Sequence, residues 1–104
     1  RMKNVLDLQK MLKTAQDVQE RLQRELAGLR VEGASGGGMV GVVLDGHKVL
    51  QSIRIDPEVV DRGEIEMLQD LVVAAFNDAA AKVDEALAGK LGGLAGGLKV
   101  PGLF

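Results

Sequence analysis

An α+β fold is predicted, ordered as long helix, three-stranded antiparallel meander and second long helix. Three observations predict it. Residues 3–30 meet no Pro and no Gly before Gly28 and repeat apolar residues every seven positions. Residues 39–55 are two runs rich in β-branched side chains on either side of Asp45-Gly46, a hairpin-turn signal. Residues 64–88 carry an apolar stripe at helical spacing behind an Asp56-Pro57 stop. The 104 residues make a single domain, 1–104, in which 89–104 form a glycine-rich tail.

In the first helix Leu8, Ala15, Leu22 and Leu29 form one row of a heptad repeat, and Val5, Leu12 and Leu26 the other. Gln19 is the single polar residue in this seam. A helix of about 28 residues is roughly 40 Å long, more than one small domain can cover. One end must therefore project or pack on another chain. Gly28 and the glycines of 33–38 end it, and a short first strand is expected near 30–35. The next strand is 39–45. Asp45-Gly46 suits the positive φ values of a type I′ turn. The returning strand, 47–55, alternates Val49, Gln51, Ile53 and Ile55 against Leu50, Ser52 and Arg54. Asp56 caps a short turn at 57–61, and Pro57 suits its first position. The second helix then shows Ile65, Leu68, Val72, Ala75, Ala79, Val83 and Leu87 as its stripe, widened by Leu71 and Phe76. From Gly89 the glycines are too dense to continue a helix, although Leu91, Leu94, Leu98, Leu103 and Phe104 are too apolar for an idle linker. The expected core of a homodimer uses both stripes and the sheet: Leu12, Leu22, Leu26, Val42, Ile53, Leu68, Val72 and Phe76. Met2 is expected to be the natural start, with Arg1 an added residue.

Composition removes most chemistries. Cys is absent, so disulfides, thiolate metal sites and thiol nucleophiles are excluded. One His, no Trp, no Tyr and two Phe leave little for catalysis or base stacking. His47 reads as a solvated turn residue, and Glu58, Asp61, Glu64, Glu66 and Asp70 as a solvated, capping helix start. The glycines of 33–38 follow a helix and lack the Gly-Lys-Ser/Thr ending of a phosphate-binding loop. No apolar run reaches the roughly 20 residues of a membrane span. No enzyme activity, metal or cofactor is expected, and a cytoplasmic binding module is.

The net charge of −2 hides an asymmetry. Residues 1–30 carry seven Lys/Arg against four acids, whereas residues 31–104 carry six against eleven. In the heptad frame Lys3, Lys10 and Arg24 fall opposite the seam, with Lys13 and Arg21 flanking them. Five bases thus share the outward face with Asp7, Asp17 and Glu20. Such a face is either a mixed-charge solvated surface or a contact for nucleic-acid phosphates, where Lys and Arg displace condensed counterions. Nothing in the chain is equipped to read bases, so any nucleic-acid binding should show little sequence preference.

Further segments point to a family. Met2-Lys3-Asn4 opens the chain, followed by Val31-Glu32-Gly33-x-Ser35-Gly36-Gly37-Gly38 and Ile53-Arg54-Ile55-Asp56-Pro57. Then come Leu68-x-Asp70-Leu71-Val72-Val73-Ala74-Ala75-Phe76-Asn77-Asp78-Ala79 and a glycine-rich end closing with Pro101-Gly102-Leu103-Phe104. In this combination and order the chain resembles the YbaB/EbfC family of bacterial nucleoid-associated proteins over essentially its whole length. The resemblance implies a small, cytoplasmic, nucleoid-associated homodimer without enzyme activity. It implies a tweezer-like shape, with helices projecting from a joined sheet core. It also implies binding to double-stranded DNA and a change in DNA conformation, serving nucleoid organisation, DNA protection and gene regulation. Contacts near the ends of the long helices correspond to Lys3, Lys10 and Lys13, and to Lys82 and Lys90. Arg21 and Arg24 join them from the heptad face. The alternative reading is a protein–protein adaptor for replication or recombination proteins, docking through the apolar tail.

Overall fold

The computed structural model describes residues 2–95, with side chains for 5–90. Helix α1 (Met2–Gly28) precedes strands β1 (Val31–Ser35), β2 (Val40–Leu44) and β3 (Leu50–Ile55), and helix α2 (Ile65–Ala95) follows. Short 3₁₀ turns lie at Gly36–Gly38, Pro57–Val59 and Arg62–Glu64. The strands form one antiparallel sheet in the order β1-β2-β3. This is the expected meander between two helices.

Side-chain alternation explains how the body is built. Val40, Val42 and Leu44 are fully buried and point to one face of β2, which α2 covers. From α2 come Ala75, Ala79 and Val83, also fully buried. Leu68, Leu71, Val72, Phe76 and Leu87 pack around them, so most of the expected stripe faces the sheet. The stripe is small at its centre for a reason. Gly33, opposite Val42 in the ladder, sits so close to α2 that a Cβ there would fall 2.3 Å from the Ala79 backbone nitrogen and 2.6 Å from the Ala75 carbonyl oxygen. Glycine on the strand and alanine on the helix bring backbone against backbone.

Each end of this contact is fastened by a polar group. The Ser35 hydroxyl donates to the Leu71 carbonyl at 2.5 Å. Asp78 Oδ2 accepts the Ala34 N–H at 3.0 Å, occupying a donor on an edge strand. The loop after β3 follows its expected capping logic. Asp56 Oδ1 accepts from the Glu58 N–H and Asp61 Oδ1 from the Gly63 N–H, each at 2.9 Å.

α1 packs closely on no other element among the described residues. It extends from the body, giving overall dimensions of 75 × 25 × 16 Å. Its seam is correspondingly bare: Val5, Leu8, Leu12 and Leu22 are 50–65% exposed, and only Leu26 and Leu29 near its end are half-buried. Of the other expected core residues Val42 is buried, Leu68, Val72 and Phe76 are half-buried, and Ile53 is exposed. Ile53 and Ile55 lie opposite Val42 and Val40 and so share the helix-covered face. α2 spans β1 and β2 and leaves β3 uncovered.

Three expectations need correction. The reversal after β2 is not a type I′ turn at Asp45-Gly46. The Lys48 N–H bonds to the Asp45 carbonyl, and the residue with positive φ is Lys48, at 64°. The Asp45 side chain builds a longer turn by accepting backbone donors further along. The strict alternation along 47–55 also fails. Val43 pairs with Ser52 and Leu44 with Leu50, so Gln51 is the extra residue of a bulge, and Leu50 joins the face of Ile53 and Ile55. Finally, α2 runs to Ala95 rather than ending near Ala88. A glycine inside a helix costs only about 1 kcal/mol, and a helix already nucleated over many residues propagates through such positions when Leu91, Leu94 and Ala95 intervene. The remainder of the expected tail, 96–104, lies outside the described residues.

Candidate nucleic-acid interface

The exposed arm presents the basic residues. Lys10, Lys13, Arg21 and Arg24 are all exposed on α1. The Lys3 side chain lies outside the described residues. The helix starts without an acidic first turn and continues for 27 residues without a break, so residue spacing sets side-chain direction along all of it. The ion pairs among the described residues are Lys48–Asp84 at 2.8 Å and Lys82–Asp78 at 3.0 Å, and neither involves α1. Lys82 is thus tied to the carboxylate that fastens β1, while Lys90 is exposed beyond Leu87, the last residue packed on the core among those whose side chains are described. The structure separates the seven expected bases into five on the arm, Lys3 among them, and two on α2.

At the base of the arm lies an arrangement that the sequence reading missed. Asp45 is only 7% exposed, and its Oδ1 accepts the His47 N–H at 2.8 Å and the Val49 N–H at 2.9 Å. Gln51 Nε2 approaches its Oδ2 at 3.4 Å. The adjoining Gly46 N–H donates to the Leu26 carbonyl of α1 at 2.8 Å. Arg30 Nη1 donates to the Ala27 and Leu29 carbonyls, so orphan acceptors at the end of α1 find partners. The arrangement's sequence signal is Asp45-Gly46, from which local composition predicts a turn and nothing more.

Two carboxylates are shifted by these bonds. The Val49 N–H holds Asp45 below the ordinary value of 3.8, against an opposing desolvation and with help from the His47 N–H. The Ala34 N–H holds Asp78 below 3.8, assisted by the Lys82 ammonium. A depressed folded-state pKa stabilises the fold in full above the unfolded value and ceases to do so as pH falls through the folded one. The urea midpoint should therefore drop on acidification below about pH 4. A chain carrying both Asp45→Asn and Asp78→Asn should start less stable at neutral pH and lose less across that window. An equal acid loss in parent and variant would show that other groups cause it.

Among the described residues no group of three or more His, Asp or Glu side chains could hold a metal ion, and no helix is long and apolar enough to cross a membrane. The arm carries a bare apolar seam and exposed bases. Residues 2–98 match the model of the YbaB/EbfC DNA-binding family. The chain belongs to that family. It is 46% identical to a nucleoid-associated protein of Caldanaerobacter subterraneus, covering 94% of this chain and 91% of the relative. It is 52% identical to another from Rhodospirillum rubrum, covering 88% of each. In fold it resembles an uncharacterized protein, HP0035, from Helicobacter pylori, with a TM-score of 0.68 at 24% identity, covering 84% of this chain and 91% of the other. YbaB/EbfC proteins are DNA-binding proteins, as the resemblance implies, and not enzymes, as the residue inventory implies.

Proposed function

We propose that this chain is a nucleoid-associated protein of the bacterial cytoplasm that binds duplex DNA with little sequence preference. In this reading a homodimer presents the outward faces of its α1 arms to phosphates and alters DNA conformation. The observation that carries it is the projecting α1, whose exposed Lys10, Lys13, Arg21 and Arg24 lie opposite an uncovered apolar seam. The bases suit phosphates, which carry charge but no sequence information. The seam suits a second copy. Family membership and relatives named as nucleoid-associated proteins support the choice of DNA.

A gel shift on duplexes of unrelated sequence, repeated across a salt series, tests the DNA part. Similar affinities that fall steeply with salt are expected, because counterion release supplies most of the binding. No shift even at low salt would favour the adaptor for replication or recombination proteins. The dimer is tested separately. Sedimentation equilibrium should give about twice the 11.0 kDa chain mass at micromolar concentration. A species of 11.0 kDa would leave the α1 seam without its occupant.

A further inference from the structure

We infer that the turn at 45–49 is a clamp that fixes the direction in which the α1 arm leaves the body. Observations on the turn, on α1 and on α2 converge there. Within one protomer α1 packs closely on no other element, so what joins its direction to its own body lies at its last turns. At that point the Gly46 N–H holds the Leu26 carbonyl at 2.8 Å. The approach leaves no room for a side chain: a Cβ on Gly46 would lie 2.8 Å from the Leu26 carbonyl oxygen and 2.9 Å from its Cα.

The turn itself is held rigid from within and from behind. Asp45 Oδ1 ties the His47 and Val49 N–H groups together, so the backbone on both sides of Gly46 has one arrangement. Lys48 is the one residue other than glycine with positive φ among the described residues. Its ammonium reaches Asp84 on α2 at 2.8 Å. A glycine would adopt that conformation without strain, but it could not reach across to α2. The turn therefore connects the arm on one side to the body's helix on the other.

Direction matters because a long lever magnifies small changes. A tilt of about 10° at the base moves the far end of a helix about 40 Å long by roughly 7 Å. That is enough to take a basic face off the phosphates of a duplex held by both arms. The functional half of this inference rests on the DNA-binding reading above, whereas the mechanical half does not.

The chain has no cysteine, so two can be introduced for spin labels at exposed sites, Gln9→Cys on the arm and Asn77→Cys on α2. Labelled chain diluted with unlabelled chain then reports the distance within one protomer by double electron–electron resonance. The parent should give one narrow distribution. Gly46→Ala should shift or broaden it by roughly 4 Å, a 10° tilt read about 25 Å along the helix, with helicity by circular dichroism unchanged. An unaltered distribution in folded Gly46→Ala protein would overturn the clamp. Should that variant fail to fold, amide exchange of the parent decides: Gly46 and Val49 should be protected like core strands, and exchange at free-peptide rates would overturn it too. DNA affinity is read on the same Gly46→Ala protein and should fall although every basic residue is kept. A shifted distance with unchanged affinity would overturn the functional half. A parent that binds no DNA but keeps a narrow, Gly46-dependent distribution would sink the DNA reading and leave the clamp standing.

Discussion

Gly33→Ala is expected to destabilise the protein by about 3 kcal/mol or more, the upper end of what overpacking costs. The added methyl group would meet the Ala79 nitrogen at 2.3 Å and both the Ala75 oxygen and the Ala79 Cα at 2.6 Å. All three are backbone atoms of α2, and none can turn aside as a side-chain end could. The helix would have to back away from β1. In doing so it would loosen its cover over Val40, Val42 and Leu44 and stretch the bonds from Ser35 to Leu71 and from Ala34 to Asp78. For a domain of this size such a loss corresponds to a fall in Tm of roughly 12–24 °C. Thermal unfolding by circular dichroism measures it. Adding Ala79→Gly should not restore stability, since the obstruction is the backbone itself. Full rescue, or a Tm within a few degrees of the parent, would mean that α2 does not sit this close to the sheet.

The second large effect is on binding. Replacing Lys10, Lys13, Arg21 and Arg24 together by Ala should leave helicity and the proposed self-association intact, because all four are exposed and lie away from the apolar seam. Alanine is also the best helix former, so the arm should not unravel. If about four phosphates are neutralised per site, the parent's logarithmic salt slope is roughly −3.6, a loss of about a hundredfold between about 50 and 200 mM salt. The quadruple variant should bind more weakly on every duplex, by a similar factor on each, and its slope should be flatter. Unchanged affinity and slope would move the contact to another face. Lys90 would be the next residue to test, because Lys82 already shares its charge with Asp78.

The contrast between these two experiments shows where information about this protein resides. The heptad seam and the outward bases were legible in the sequence because a helix relates residue spacing to direction without help from the rest of the fold. The same holds for the β-branched runs and for the Asp56 cap, which depend on near neighbours. Period alone could not say what covers a face. The stripe of α2 was read from its spacing, but that Ala75 and Ala79 admit Gly33 follows only from two segments more than forty residues apart meeting backbone to backbone.

Local turn and glycine rules fail where a buried side chain, another element or an already formed helix competes with them. Asp45-Gly46 has the composition of a tight hairpin turn, yet the Asp45 carboxylate draws in the N–H groups of His47 and Val49, and the Leu26 carbonyl takes the Gly46 N–H. The turn lengthens, Gln51 bulges, and Leu50 changes face. The end of α2 departs from expectation for a related reason: glycine propensity is local, whereas helix propagation depends on what has already formed. The sequence by itself determined the order of elements, the arm and its charged face, because these follow from chain-local geometry. Tertiary structure alone decided how close α2 lies to the sheet and where the arm is held, because both depend on backbone atoms that carry no side-chain signature.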